Sequence, residues 1–203
     1  MNSDISLIII SSALTAIIGP LIVHFVQLKT TRKKHDPIPE CLANDSLVIN
    51  KMEEIKEEFS ADRIWIEQFH NGGHFYPTGK SIQKFSMIYE VVSNDTFSIQ
   101  ANFQNIPISL FSKSMNQLLE NDSIIIPDFK DDSIPTYGLK YTADEMDCKS
   151  SCLVALKSID GKFIGVLGMD FTKRKKVLTP EDISYLFQES ALICGVLMNH
   201  LNS

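Results

Sequence analysis

Four cysteines and five histidines offer most of the chemistry in this 203-residue chain. Cys148 and Cys152 stand four apart, at the entry to an apolar run. Two thiols this close suit a redox pair, in which a low-pKa thiolate attacks and the second thiol resolves. They equally suit a loop residue followed by a small buried hydrophobe. Cys41 and Cys194 lie far from them in sequence, so no three-cysteine set is evident. His70-Asn71-Gly72-Gly73-His74 stands where an alternating run gives way to a turn-rich stretch. Gly72 and Gly73 permit positive φ and let the backbone approach a ligand closely. Together with Tyr76 and Lys80 these residues form a candidate ligand-binding loop over 71–80. The plain alternative is a turn that needs its glycines and carries surface histidines. His70 and His74 alone lack a third metal ligand of known proximity, so no metal site is assigned. A zinc set with Cys148 and Cys152 would need the fold to join both segments. The patterns G-x-x-x-x-G-K-[ST], G-x-S-x-G, H-E-x-x-H and G-x-G-x-x-G are absent. No catalytic residue or cofactor is therefore expected, apart from the cysteine alternative.

Composition places this chemistry. The chain is 44% hydrophobic with a formal net charge of −6. Ile5–Leu28 is a run of 24 residues without a formal charge. As a helix rising about 1.5 Å per residue it reaches roughly 36 Å, enough to cross a bilayer core. Gly19-Pro20 should kink it, which membrane helices tolerate. A cleaved signal peptide would have a basic leader and a shorter core. Lys29, Arg32, Lys33 and Lys34 follow the run, and only Asp4 precedes it. Basic flanks stay cytoplasmic, so a single pass across an inner or plasma membrane is expected, with the N-terminus outside and the globular part inside. The expected division is a tail and transmembrane helix at 1–28, a basic juxtamembrane linker at 29–43, and a domain at 44–203. Pro37 and Pro39 should stop the membrane helix from continuing. Setting aside Asp4 and those four basic residues leaves −9 on residues 36–203. That acid excess argues against nucleic acid as a partner.

The elements that must position the candidate residues follow from periodicity. Asn44-Asp45-Ser46 offers a helix cap, and Val48, Met52, Ile55 and Phe59 form one apolar face. Alternation predicts strands at 63–70, 85–91 and 97–103. In the first, Ile64 and Ile66 point one way, Trp65, Glu67 and Phe69 the other. A short helix is expected near 110–121, a short strand at 123–127, and a loop with one helical turn at 128–150. Two strands at 151–159 and 162–171 join through Asp160-Gly161. Gly165 and Gly168 read as strand glycines over which a helix packs. Thr179-Pro180-Glu181-Asp182 opens a final helix to 202. The sum is an α+β domain, an antiparallel sheet with helices packed on one face.

The closing unit, SSCLVALKSIDGKFIGVLGMDF followed by LTPEDISYLFQESALICGVL, resembles the C-terminal half of GAF domains. The resemblance spans roughly residues 44–202. The stretch RIWIEQFHNGGHFYPTGKSIQKFSMIYEVVS also resembles small membrane-anchored GAF-like proteins of bacteria and phages. The resemblance implies a GAF-like fold that binds small molecules, such as cyclic nucleotides or tetrapyrroles, or serves as a dimerising sensor. It thus implies a non-catalytic, membrane-anchored sensor or interaction module, whose partners are the lipid bilayer through Ile5–Leu28 and a small molecule or a protein. One catalytic branch of the family reduces free methionine sulfoxide with pocket cysteines, so a reductase using Cys148 and Cys152 is the alternative. A ligand-free membrane adaptor is another. The last helix carries a second apolar stripe at Tyr185, Leu192 and Val196, which suggests a homodimer.

Overall fold

The computed structural model describes residues 37–75 and 77–199. The run Ile5–Leu28 and Tyr76 lie outside the described residues. Helix α1 (Pro37–Phe59) leads into strands β1 (Arg63–His74) and β2 (Ser81–Val92). Strand β3 (Ile106–Pro107), helix α2 (Ser112–Asn121), strand β4 (Ser123–Ile126) and helix α3 (Lys140–Glu145) follow. Strands β5 (Ser150–Lys157) and β6 (Phe163–Phe171) and helix α4 (Pro180–Asn199) complete the order. The six strands form one antiparallel sheet in the order β3-β2-β1-β6-β5-β4. The chain divides into two compact units, Met1–Glu40 and Cys41–Ser203, and the account below concerns the second. Among the described residues no helix is long and apolar enough to cross a membrane.

Successive strand residues face opposite sides of a sheet, and here both sides are apolar. Ile64, Ile66, Cys152, Val154, Leu156, Leu167, Met169 and Phe171 share one core with Val48, Met52, Ile55 and Phe59 of α1 and Leu186, Ile193 and Leu197 of α4. Trp65, Leu153, Ala155 and Val166 belong to a second core with Met115 and Leu118 of α2 and Ala143 of α3. Helices therefore cover both faces, not one as the sequence suggested. The reason is that β5 and β6 have no polar face to leave in water. Leu153 to Leu156 and Val166 to Met169 are buried without a break, and such strands must be covered twice.

Other differences have local causes. Helix α1 starts at Pro37, ahead of the expected cap at Asn44–Ser46. Prolines suit a first helical turn, where N–H groups have no intrahelical partner. Asp45 instead accepts a hydrogen bond from the Tyr89 hydroxyl. The strand expected at 97–103 is irregular, with a 3-10 turn at Gln100–Asn102. Glu90 causes this: its carboxylate accepts the Ile99 N–H at 2.9 Å and the Gln100 N–H at 3.0 Å, replacing strand partners. The edge strand beside β2 is the short β3. The final helix is capped as its sequence indicates. The Asp182 N–H donates to Thr179 Oγ1 at 3.2 Å and the Thr179 N–H to Asp182 Oδ2 at 2.8 Å, a reciprocal capping box.

Gly165 and Gly168 have a different purpose from the one expected. Gly168 lies opposite Trp65 in the β1–β6 ladder. A Cβ there would stand 2.0 Å from the indole, and one on Gly165 would stand 2.1 Å from the Glu67 carbonyl oxygen. A neighbouring strand, not a helix, crowds them. Gly168→Ala should displace Trp65 and lower stability by about 1–3 kcal/mol, the usual cost of overpacking. Chemical denaturation of both proteins measures it, and an unchanged midpoint would show that the indole yields freely.

Candidate functional site

Between the second sheet face and its helical cover lies a cavity of ≈ 50 Å³. Its floor comes from Trp65 and Glu67 of β1, Ser151 and Leu153 of β5, and Asp170 of β6. Ser114 and Met115 of α2 and Thr142 and Ala143 of α3 close it, with Phe103, Phe111, Phe129, Leu139, Met146 and Cys148 between. The volume admits a few waters or a small functional group. An outer groove of ≈ 290 Å³ shares Phe103, Phe111, Thr142 and Met146 with it, and adds Leu110, Tyr141 and Glu145.

Two acids reach the cavity, and they differ. Asp170 is 3% exposed and fully engaged. It accepts Trp65 Nε1–H at 2.9 Å, Ser151 Oγ–H at 2.7 Å and Arg63 Nη1–H at 3.2 Å. Arg63, wholly buried, also donates through Nη2 to the Phe97 carbonyl at 3.0 Å. Its Nε lies 3.2 Å from Glu90 Oε1, close enough for an ion pair but not aligned as a hydrogen bond. The Phe97 ring covers the guanidinium at 5.5 Å. This network fastens the 97–102 segment, part of the outer groove's wall, to the sheet.

Glu67 is 5% exposed and has no hydrogen-bond or ion-pair partner among the described residues. Burial, and secondarily the negative charge of Asp170, push its pKa up to about 8. At neutral pH it is therefore mainly a neutral acid. The sequence carried a trace of this site: an acid between Trp65 and Phe69 on an apolar face is out of place unless it serves something.

The cysteines do not form a pair. Cys148 lines the cavity, and its thiol donates to the Ser150 carbonyl at 3.2 Å. Cys152 belongs to the core on the opposite sheet face. Burial, then the charge of Asp170, holds the Cys148 thiol well above its ordinary pKa, and burial pushes Cys152 up to about 12. Neither is poised as a thiolate. Among the described residues no three His, Cys, Asp or Glu side chains come together as a metal site. The zinc set of His70, His74, Cys148 and Cys152 is thus not assembled.

The 71–80 loop is mostly the end of a hairpin, because β1 continues through His74. His70 Nε2 lies 3.0 Å from Ser86 Oγ, which in turn accepts the Asn105 N–H at 2.9 Å. Asn71 Oδ1 accepts the Gly73 N–H and the Ser81 hydroxyl, both at 3.1 Å. Gly73 takes φ +97°, while Gly72 makes room for the Lys84 stem. His74 and Lys80 are exposed. None of these residues lines the cavity or its groove. Of the suggested dimer stripe, Leu192 is 59% exposed, whereas Tyr185 and Val196 pack partly into the domain's own core.

No protein-family model and no curated protein matches the chain in sequence. Its fold does have solved counterparts. A far-red cyanobacteriochrome photoreceptor superposes with a TM-score of 0.60 at 15% identity, covering 92% of this chain and 98% of that one. The PixJ GAF domain of Thermosynechococcus elongatus gives 0.61 at 12% identity, covering 78% and 86%. A domain of a putative two-component sensor histidine kinase from Sinorhizobium meliloti gives 0.52 at 11%, covering 76% and 90%. The fold is therefore GAF-like.

Proposed function

We propose that this chain is a membrane-tethered sensory module that binds a small molecule in the cavity beneath α2 and α3, without performing chemistry on it. The observation that carries the reading is Glu67, a buried acid facing a cavity with no partner to satisfy it among the described residues. Burying such a group destabilises a fold, so its presence in a cavity favours a ligand. The fold neighbours support the reading, being photoreceptors and a sensor-kinase domain by their names, one with bound biliverdin. The tether is the uncharged run Ile5–Leu28, its basic flank held on the cytoplasmic side. Planar confinement raises the effective concentration of the domains, and the exposed Leu192 would then contribute to a two-fold contact.

The test is native mass spectrometry of the full chain, extracted from membranes in mild detergent. The protein should sediment with membranes and carry a small molecule. Ala143→Leu, which fills the cavity, should lose that mass while remaining folded. A soluble chain would overturn the tether. A bare chain mass from fresh membranes would overturn the ligand reading in favour of an adaptor.

A further inference from the structure

The lining of the cavity and its groove is one-sided in charge. Glu67 and Asp170 face the inner cavity and Glu145 the groove, while among the described residues no Lys, Arg or His lines either. The nearest buried cation, Arg63, is already held by Asp170 and Glu90. Trp65, Phe103 and Phe111 present aromatic surface, which attracts organic cations. An anionic ligand would meet acids and no free cation among the described lining residues, and a neutral one would gain little from Glu67 beyond one hydrogen bond. The inner cavity suits a compact head group, and the groove beyond Phe103 and Phe111 suits an apolar body.

We propose that the ligand is an organic cation, a primary ammonium on an apolar body, whose head group pairs with Glu67 and whose body lies in the outer groove. This deepens the cavity reading and rests on it. Glu67 must give up its proton to form the pair, so binding releases one proton at neutral pH. The other groups facing it are Asp170 on β6, Cys148 before β5, and Arg63 on its own strand, itself paired with Glu90 of β2. The faces of α2 and α3 bring only Ser114, Met115, Thr142 and Ala143 to the cavity.

Trp65 is the single tryptophan of the chain and borders the cavity, so its fluorescence reports the site directly. The full chain in detergent is titrated with 2-phenylethylammonium, 2-phenylethanol and 3-phenylpropionate between pH 6 and 8.5. The ammonium should change Trp65 emission saturably, with Kd falling about tenfold per pH unit up to about pH 8 and levelling above. The alcohol and the carboxylate should bind at least thirtyfold more weakly. Glu67→Gln should weaken the ammonium by a similar factor and abolish the pH dependence. The wild-type pH profile needs no variant and stands alone if that variant misfolds. Equal binding of the alcohol or the carboxylate, blocked by Ala143→Leu, would overturn the cation class and leave the cavity reading intact. No response to any of the three would overturn the cation proposal, while a co-purified molecule in the mass measurement would still uphold the cavity.

Discussion

Asp170→Ala should lower the stability of the domain by about 3–5 kcal/mol, as expected when one partner of a buried ion pair is removed. Asp170 satisfies three donors at once: the guanidinium of Arg63, the indole N–H of Trp65 and the hydroxyl of Ser151. Removing it leaves Arg63, which has no exposure to water, with a misaligned contact to Glu90 and one carbonyl. The penalty is the stranded charge more than the lost bonds. It follows that Arg63→Met combined with Asp170→Leu and Glu90→Gln should recover more than half of the loss, because no charge of the network then remains unpaired. Urea denaturation read by Trp65 emission measures both. A loss below about 1 kcal/mol for the single variant would mean that water reaches Arg63, and that the network does not hold the 97–102 segment.

Much of this fold was legible in the sequence because its signals are local. The strands from Ser150 to Phe171 are apolar runs on either side of Asp160-Gly161, and Thr179 to Asp182 spell a capping box. Local signals fail where a distant side chain intervenes. Phe97, Ile99, Ala101 and Phe103 alternate as a strand would, yet Glu90 claims the backbone there and folds it into a turn. Gly168 looked like a bed for a helix because the sequence does not say that Trp65 sits opposite it. The cavity residues are hard to read in the sequence for a related reason. Glycines and histidines at 70–74 advertise chemistry by type, whereas Glu67, Asp170 and Arg63 acquire theirs only by burial and by position on two neighbouring strands. Cys148 and Cys152, close in sequence, are parted by the sheet itself, since their cores lie on its two faces.

Glu67→Gln should make the domain more stable at neutral pH and remove a pH dependence that the native protein carries. The native pKa of Glu67 is raised from 4.5 to about 8. Below pH 4.5 both folded and unfolded states hold the proton, and the residue is neutral to stability. Between there and about pH 8 the unfolded chain has lost the proton and the folded one keeps it. Stability therefore falls as pH rises, by about 1.4 kcal/mol per unit. Above about pH 8 both states are ionised and the slope ends, leaving the full penalty in place. Asp62 works in the opposite sense at the acid end. Burial alone would raise its pKa, but the N–H groups of Thr172 and Lys173 and the Lys173 ammonium hold it below the usual carboxylate value. Its contribution is present above the unfolded pKa and is lost as pH falls further. The native protein should thus be most stable near pH 5 and weaken toward pH 8. Glutamine has the same shape and no proton to lose, so the variant should show a flat profile over pH 5–8 and gain up to about 3 kcal/mol at pH 7. Urea midpoints across that range decide it. A native profile already flat would mean that Glu67 ionises freely inside the cavity, and a loss on substitution would mean that the acid holds the fold together rather than waiting for a ligand.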